Sequence, residues 1–145
     1  MIIGVDLGVR SIHVSTPSEC FSIVTDRSKF RWVELADLAD QFFSELDDGD
    51  VIYMEEPIAA GAMNLRTFLF IAQVSGVVMS SGGPVFPVPV TKWKQVIVGN
   101  GHASKDKVAD WLAANNPYDH VLEDQNHIDA TCIRLFGEKI HHDGD

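Results

Sequence analysis

Residues 2 to 7, Ile-Ile-Gly-Val-Asp-Leu, constrain this chain more than any other stretch, because an apolar β-type run carries a carboxylate near its centre. A charged carboxylate left alone in a core costs several kcal/mol or more. A fold that uses this strand centrally must therefore give Asp6 a partner, a proton or a cation.

The segments that follow define the fold class. "SIHVST" and "CFSIVT" are β-rich runs separated by "PSE", a turn signal, so the first three strands read as an antiparallel meander. From Trp32 to about Leu46, Val33, Leu35, Leu38, Phe42 and Phe43 recur between carboxylates, an amphipathic helix closed by "DDGD". "VIYME" is a short buried strand bounded by Pro57. Residues 62 to 80 are helical and apolar nearly all round, with Ala72, Ser75 and Gly76 as small positions, so this helix is central or half of an interface. The prolines of "PVFPVPV" push that segment to a sheet edge or a loop. Two helices are expected next, Ser104 to Asn115 and about Glu123 to Phe136, with "GNGHAS" before the first and "NNPYDH" between them. The order implies an α/β fold, a mixed five-stranded sheet flanked by helices.

With 145 residues and 46% hydrophobic content, one core is expected, a single domain over residues 1 to 140 with a tail at 141 to 145. Cys20 and Cys132 lie in apolar segments without metal-ligand spacing and read as buried free thiols of a reducing compartment. No secretory signal precedes the first strand, and "SSGGP" breaks the uncharged stretch from Thr67 to Thr91 before it can span a bilayer; a cytoplasmic protein is expected. The net charge of −10 argues against a polyanionic partner, but the charge is segregated. Glu34 to Glu56 holds nine acidic residues and no basic one, whereas Pro57 to Lys105 holds Arg66, Lys92, Lys94 and Lys105 and no acid.

Three acids sit where solvated charge is not expected: Asp6, Glu55 at the end of "VIYME", and Asp129 in "HIDATCIRL". If the two strands are neighbours and the last helix packs on their sheet, the three carboxylates meet in one cleft. Carboxylates that meet share cations, and oxygen-only ligands favour Mg²⁺ or Mn²⁺. Two such ions about 4 Å apart can activate a water and stabilise the leaving oxygen of a phosphodiester. The competing reading makes Asp6 a turn cap at Gly8 and leaves Glu55 and Asp129 solvated.

"IIGVDLG", "YMEE", "VTKWKQVIVGNGHASKDKVADWL" and "NHIDA", in this order and spacing, resemble the RuvC family of Holliday junction resolvases within the ribonuclease H-like superfamily. The resemblance covers roughly residues 1 to 137, "KQVIVGNGHASKDKV" being its most specific part, and the compact chain is closer to phage-encoded members. It implies that Asp6, Glu55 and Asp129 hold the metal ions, two per site, with Glu55 rather than Glu56 facing the cleft. It further implies that Lys94 and Lys105 act against phosphates, and that the helix near 62 to 80 forms a two-fold homodimer suited to paired cuts. Where the family carries an Asp or His three positions before the last Asp, this chain has Asn126, which offers only a carbonyl oxygen; His127 and Asp124 are the alternatives for completing the site.

Other residues carry two readings. Lys92, Lys107 and Arg66 are candidate nucleic-acid contacts or ordinary surface charge, and Gly99 and Gly101 belong to a loop that either cradles a phosphate or simply turns. Trp93 stacks on an unpaired base or is core, and His102 lies at the surface or near the scissile phosphate. The function expected is a Mg²⁺-dependent endonuclease for four-way junctions or other branched DNA, in the host cytoplasm if phage-encoded. The rivals are a branched-nucleic-acid binding module of the same fold with weak or lost catalysis, and a YqgF-like RNA nuclease. A nucleotide-binding role of the actin type, also suggested by "GVDLG", needs a second such domain that this length does not supply.

Overall fold

A computed structural model describes residues 1–25, 31–57, 65–80 and 83–143. The elements run β1 (Ile2–Leu7), β2 (Ser11–Ser15), β3 (Cys20–Val24), α1 (Arg31–Phe43), β4 (Val51–Glu55), α2 (Leu65–Ser80), β5 (Val85–Val88), α3 (Val90–Ile97), α4 (Lys105–Asn115) and α5 (Gln125–Asp143). The strands form one sheet in the order β3-β2-β1-β4-β5. β1, β2 and β3 are the antiparallel meander, while β4 joins β1 and β5 joins β4 in parallel, as the mixed five-stranded reading requires. β5 takes the edge, where Pro87 needs no second partner.

Period-two alternation divides the side chains between two layers. Ile3 and Val5 of β1, Ile12 and Val14 of β2, and Ile52 and Met54 of β4 pack with Leu35, Ala39 and Phe43 of α1 and Val74 and Val78 of α2. The opposite face carries Val51 and Tyr53 of β4 against α3, α4 and α5, with Trp93, Val108, Leu112, Ile133 and Phe136 in that second core. Asp6 and Glu55 fall on this second face because each is an even number of residues from Gly4 and Tyr53, which face α5.

The helices differ from expectation in three places. α3 makes a third helix after β5, where only two were expected; it starts after Pro89 and stops at Gly99, whose φ of +91° no β-carbon-bearing residue adopts cheaply. α5 runs from Gln125 to Asp143, continuing through positions expected to be a tail; beyond the expected end at Phe136, Gly137 lies against Tyr53 of β4. α2 is described from Leu65, so residues 62–64 of the expected helix lie outside the described residues. Ser104 caps α4, its hydroxyl accepting from the Lys107 N–H at 3.3 Å. No described helix is long and apolar enough to cross a membrane.

Candidate active site

The site lies at the C-terminal ends of β1 and β4. These strands pair in parallel through Val5 and Met54, so the next residues along the register, Asp6 and Glu55, stand side by side on the face covered by α5. α5 supplies Asp129 from above, and it can do so because β1 has no side chain at Gly4. A β-carbon there would stand 2.0 Å from the Ala130 carbonyl oxygen and 2.5 Å from the Arg134 backbone nitrogen. The helix therefore lies on the bare backbone of β1, and residue 129 comes within electrostatic reach of residue 6.

The three carboxylates repel one another in a partly dry place. Burial, then the Glu55 and Asp129 charges, push the Asp6 carboxyl well above the usual carboxylate range. Glu55 is pushed up by burial and by Asp129, against the hydrogen bond from the Trp93 Nε1–H, which reaches Glu55 Oε2 at 3.1 Å. Asp129 is pushed up by burial, against the Gln125 Nε2–H bond to its Oδ1 at 2.8 Å and the charges of Lys94 and Lys105. A cleft of about 80 Å³ opens beside Asp6 and Glu55, walled by Pro57 and by Phe68 and Ile71 of α2.

The donor set consists of hard carboxylate oxygens under mutual repulsion, which is the chemistry a divalent cation relieves. Among the described residues no three His, Cys, Asp or Glu side chains are gathered closely enough to hold a metal ion as they stand. Asp6, Glu55 and Asp129 are the side chains whose oxygens suit such an ion in kind. Glu56 is exposed and also borders the cleft, although Glu55 is the one paired with Trp93.

The remaining expected residues are distributed unevenly. Lys94 donates from Nζ to the Ala103 carbonyl at 3.1 Å, lies 5.7 Å from the centre of the Trp93 ring, and exerts its charge on both Glu55 and Asp129. Lys105, exposed at the first position of α4, acts on Asp129. Lys92 and Lys107 are exposed on α3 and α4, and Arg66 on α2 rests over the Phe70 ring at 5.6 Å. Gly99 ends α3, and the Gly101 and His102 N–H groups donate to Gln95 Oε1 and Asn100 Oδ1 at 3.1 and 2.9 Å. Those two amides are thus engaged within the loop rather than free for a phosphate. Trp93 is fully buried, as its core reading required, and it also holds Glu55.

At the start of α5, Asn126 is exposed one turn before Asp129. Asp124 caps the helix, its Oδ1 accepting from the Asn126 N–H at 2.8 Å. Desolvation would raise the Asp124 carboxyl, but that bond and the nearby His127 and His13 hold it below its ordinary value. His127 turns the other way, its Nε2 lying 2.8 Å from Ser22 Oγ on β3. Sequence reasoning missed Gln125, Phe68, Ile71, His13 and Ser22. Only the alternation of β2 and β3, which places His13 and Ser22 on the same face as Asp6, held a signal for any of them.

Neither a family model nor a curated protein matches the sequence. Solved structures do. Over 99% of its length the chain is similar to RuvC of Thermus thermophilus, with a TM-score of 0.72, 17% identity and 96% of that chain covered. It is also similar to T. thermophilus RuvC in complex with Holliday junction substrate, with a TM-score of 0.71, 16% identity, and 99% and 95% of the two chains covered. The yeast mitochondrial Holliday junction resolvase Ydc2 follows with a TM-score of 0.54, 14% identity, and 97% and 80% covered. The sheet order, the covering helices and these superpositions together establish a ribonuclease H-like fold of the RuvC type.

Proposed function

We propose that this protein is a metal-dependent endonuclease that cleaves four-way junctions or other branched DNA by phosphodiester hydrolysis. The observation that carries the reading is the convergence of Asp6, Glu55 and Asp129, from three separate elements, in a partly buried place where the Glu55 and Asp129 charges raise the proton affinity of Asp6 and the Asp129 charge raises that of Glu55. That the solved structures of the same fold are Holliday junction resolvases supports the choice of substrate.

Mg²⁺ or Mn²⁺ ions held by Asp6, Glu55 and Asp129, with Asn126 as a weak carbonyl donor, would supply an activated water and charge stabilisation at the leaving oxygen. The chain's own groups do the rest. Trp93 and Gln125 orient Glu55 and Asp129, and Lys94 and Lys105 present positive charge beside them to a scissile phosphate. Lys92, Lys107 and Arg66 extend that positive surface along the DNA. Leu65, Leu69 and Met79 remain exposed on α2, an apolar face suited to a two-fold partner that would bring two sites to two strands.

A second reading, a junction-binding module with weak or lost catalysis, is favoured by the neutral, exposed Asn126. A labelled four-way junction and its linear duplex, incubated with Mg²⁺, Mn²⁺ or chelator, separate the two. Metal-dependent cuts confined to the junction, abolished by Asp6→Asn, are the expected result. A gel shift without cutting supports the binding module, and cleavage that survives Asp6→Asn refutes the mechanism.

A further inference from the structure

Beside the carboxylate cleft, four side chains form one connected chain beneath the start of α5. Ser11 Oγ lies 2.9 Å from His13 Nε2, His13 Nδ1 lies 2.8 Å from Ser22 Oγ, and Ser22 Oγ lies 2.8 Å from His127 Nε2. The two imidazoles meet edge to face with centroids 5.9 Å apart. Strand register makes a lateral row of these groups: Asp6 is opposite His13, and His13 is opposite Ser22. Each hydroxyl has a single proton to give, so the chain closes in either direction with one N–H on each ring, and no member is left without a partner.

His127 is thereby committed to β3, on the side of Asp6 away from Glu55. Yet it stands only two residues before Asp129. In the first turn of α5 Ile128 packs into the second core, whereas Asp124 and Asn126 are exposed and the Asp124 cap is local to the helix, so His127 makes the side-chain polar tie from this turn to β3. One turn further on, Thr131 Oγ1 lies 3.1 Å from Cys20 Sγ on the same strand, so the β3 side of α5 is fastened at successive turns.

We propose that His127 is a positioning residue rather than a metal ligand: through Ser22 and His13 it fixes the rotation of the first turn of α5, and so the aim of Asp129 at Asp6 and Glu55. This inference rests on the cation-binding reading of the cleft. Groups that orient a ligand without touching the ion typically change its affinity by about 10- to 100-fold when removed. The Ser22 hydroxyl is well suited to a test because it is far from the carboxylates in the row, separated from Asp6 by His13.

The test is Mn²⁺ binding to the intact protein, followed by electron paramagnetic resonance, with circular dichroism confirming the fold of each variant. Ser22→Ala and His127→Ala should each weaken Mn²⁺ by about tenfold without changing the number of ions bound. The double variant should bind no more weakly than the poorer single one, because the two changes cut the same chain. Ser22→Thr, which keeps the hydroxyl, should restore affinity. The inference is overturned if Ser22→Ala leaves affinity unchanged, if the two effects add, or if His127→Ala alone removes an ion. Failure of the wild-type protein to bind Mn²⁺ would instead overturn the cation-binding reading itself.

Discussion

Asp6 shows how one residue sets the terms for its surroundings. In the metal-free folded protein Asp6, Glu55 and Asp129 keep their protons to higher pH than in the unfolded chain, burial being the first cause in each. The folded state therefore binds more protons than the unfolded state in this range, and stability falls as pH rises from about 4 through the raised values. Asp6→Asn removes one of the charges, so it should raise the Tm of the metal-free protein at pH 8, and the gain should shrink at pH 4. Mg²⁺ should raise the wild-type Tm at pH 8 and raise that of the variant less; thermal melts with and without chelator check both. Trp93 has a comparable double role, filling the core while its N–H holds Glu55. Trp93→Phe should slow single-turnover junction cleavage by about tenfold while leaving junction binding by gel shift unchanged. The sequence exposes Asp6 as an anomaly because its neighbours are apolar. Trp93 offers no such signal, since a buried indole and a buried indole with a task look the same along the chain.

Among elements, β1 and α5 are the pair on which the site depends. Their close approach requires Gly4, and Gly4→Ala places a β-carbon against α5 backbone that cannot step aside without moving Asp129. The variant should lose about 3 kcal/mol or more of stability, measured by chemical denaturation, or fail to fold. Element type was largely legible: the meander, α1, β4, α2 and the proline-edged β5 all occur where periodicity and turn residues put them. α3 was not placed in the order because the eight residues Val90–Ile97 give only about two turns, too little pattern to distinguish from loop. The far end of α5 was missed because Gly137, a poor helix former, interrupts the pattern. In the structure that glycine is where Tyr53 of β4 packs, a β-carbon there standing 2.4 Å from its ring.

Over the whole molecule, charge is distributed unevenly. Exposed acids Glu34, Asp37 and Asp40 lie on α1 and Glu45 just past it, while Lys92, Lys94, Lys105 and Lys107 belong to α3 and α4 on the opposite layer, where the exposed Asp106 and Asp110 share α4 with them. A net charge of −10 therefore coexists with two lysines, Lys94 and Lys105, whose charges reach the carboxylates. Junction affinity should fall steeply with salt, and Lys105→Ala should lower the slope of log K against log salt by about one contact, read from gel shifts between about 50 and 200 mM. Sedimentation tests the α2 face: Leu69→Glu should shift a dimer to monomer, and a wild-type monomer at working concentration would count against paired cutting. By itself the sequence determined the kinds of elements, the alternation that splits each strand between two layers, and the presence of an acid that a core cannot leave uncompensated. Those are local properties, set by side-chain period, turn chemistry and desolvation. Tertiary structure alone decided which helix covers which face, that β4 enters beside β1 to align Glu55 with Asp6, and that residue 129 comes within electrostatic reach of residue 6 while residue 127 turns to β3. Parallel pairing and helix docking join residues far apart in the chain, and their geometry follows from the packing of whole surfaces, which no local pattern encodes.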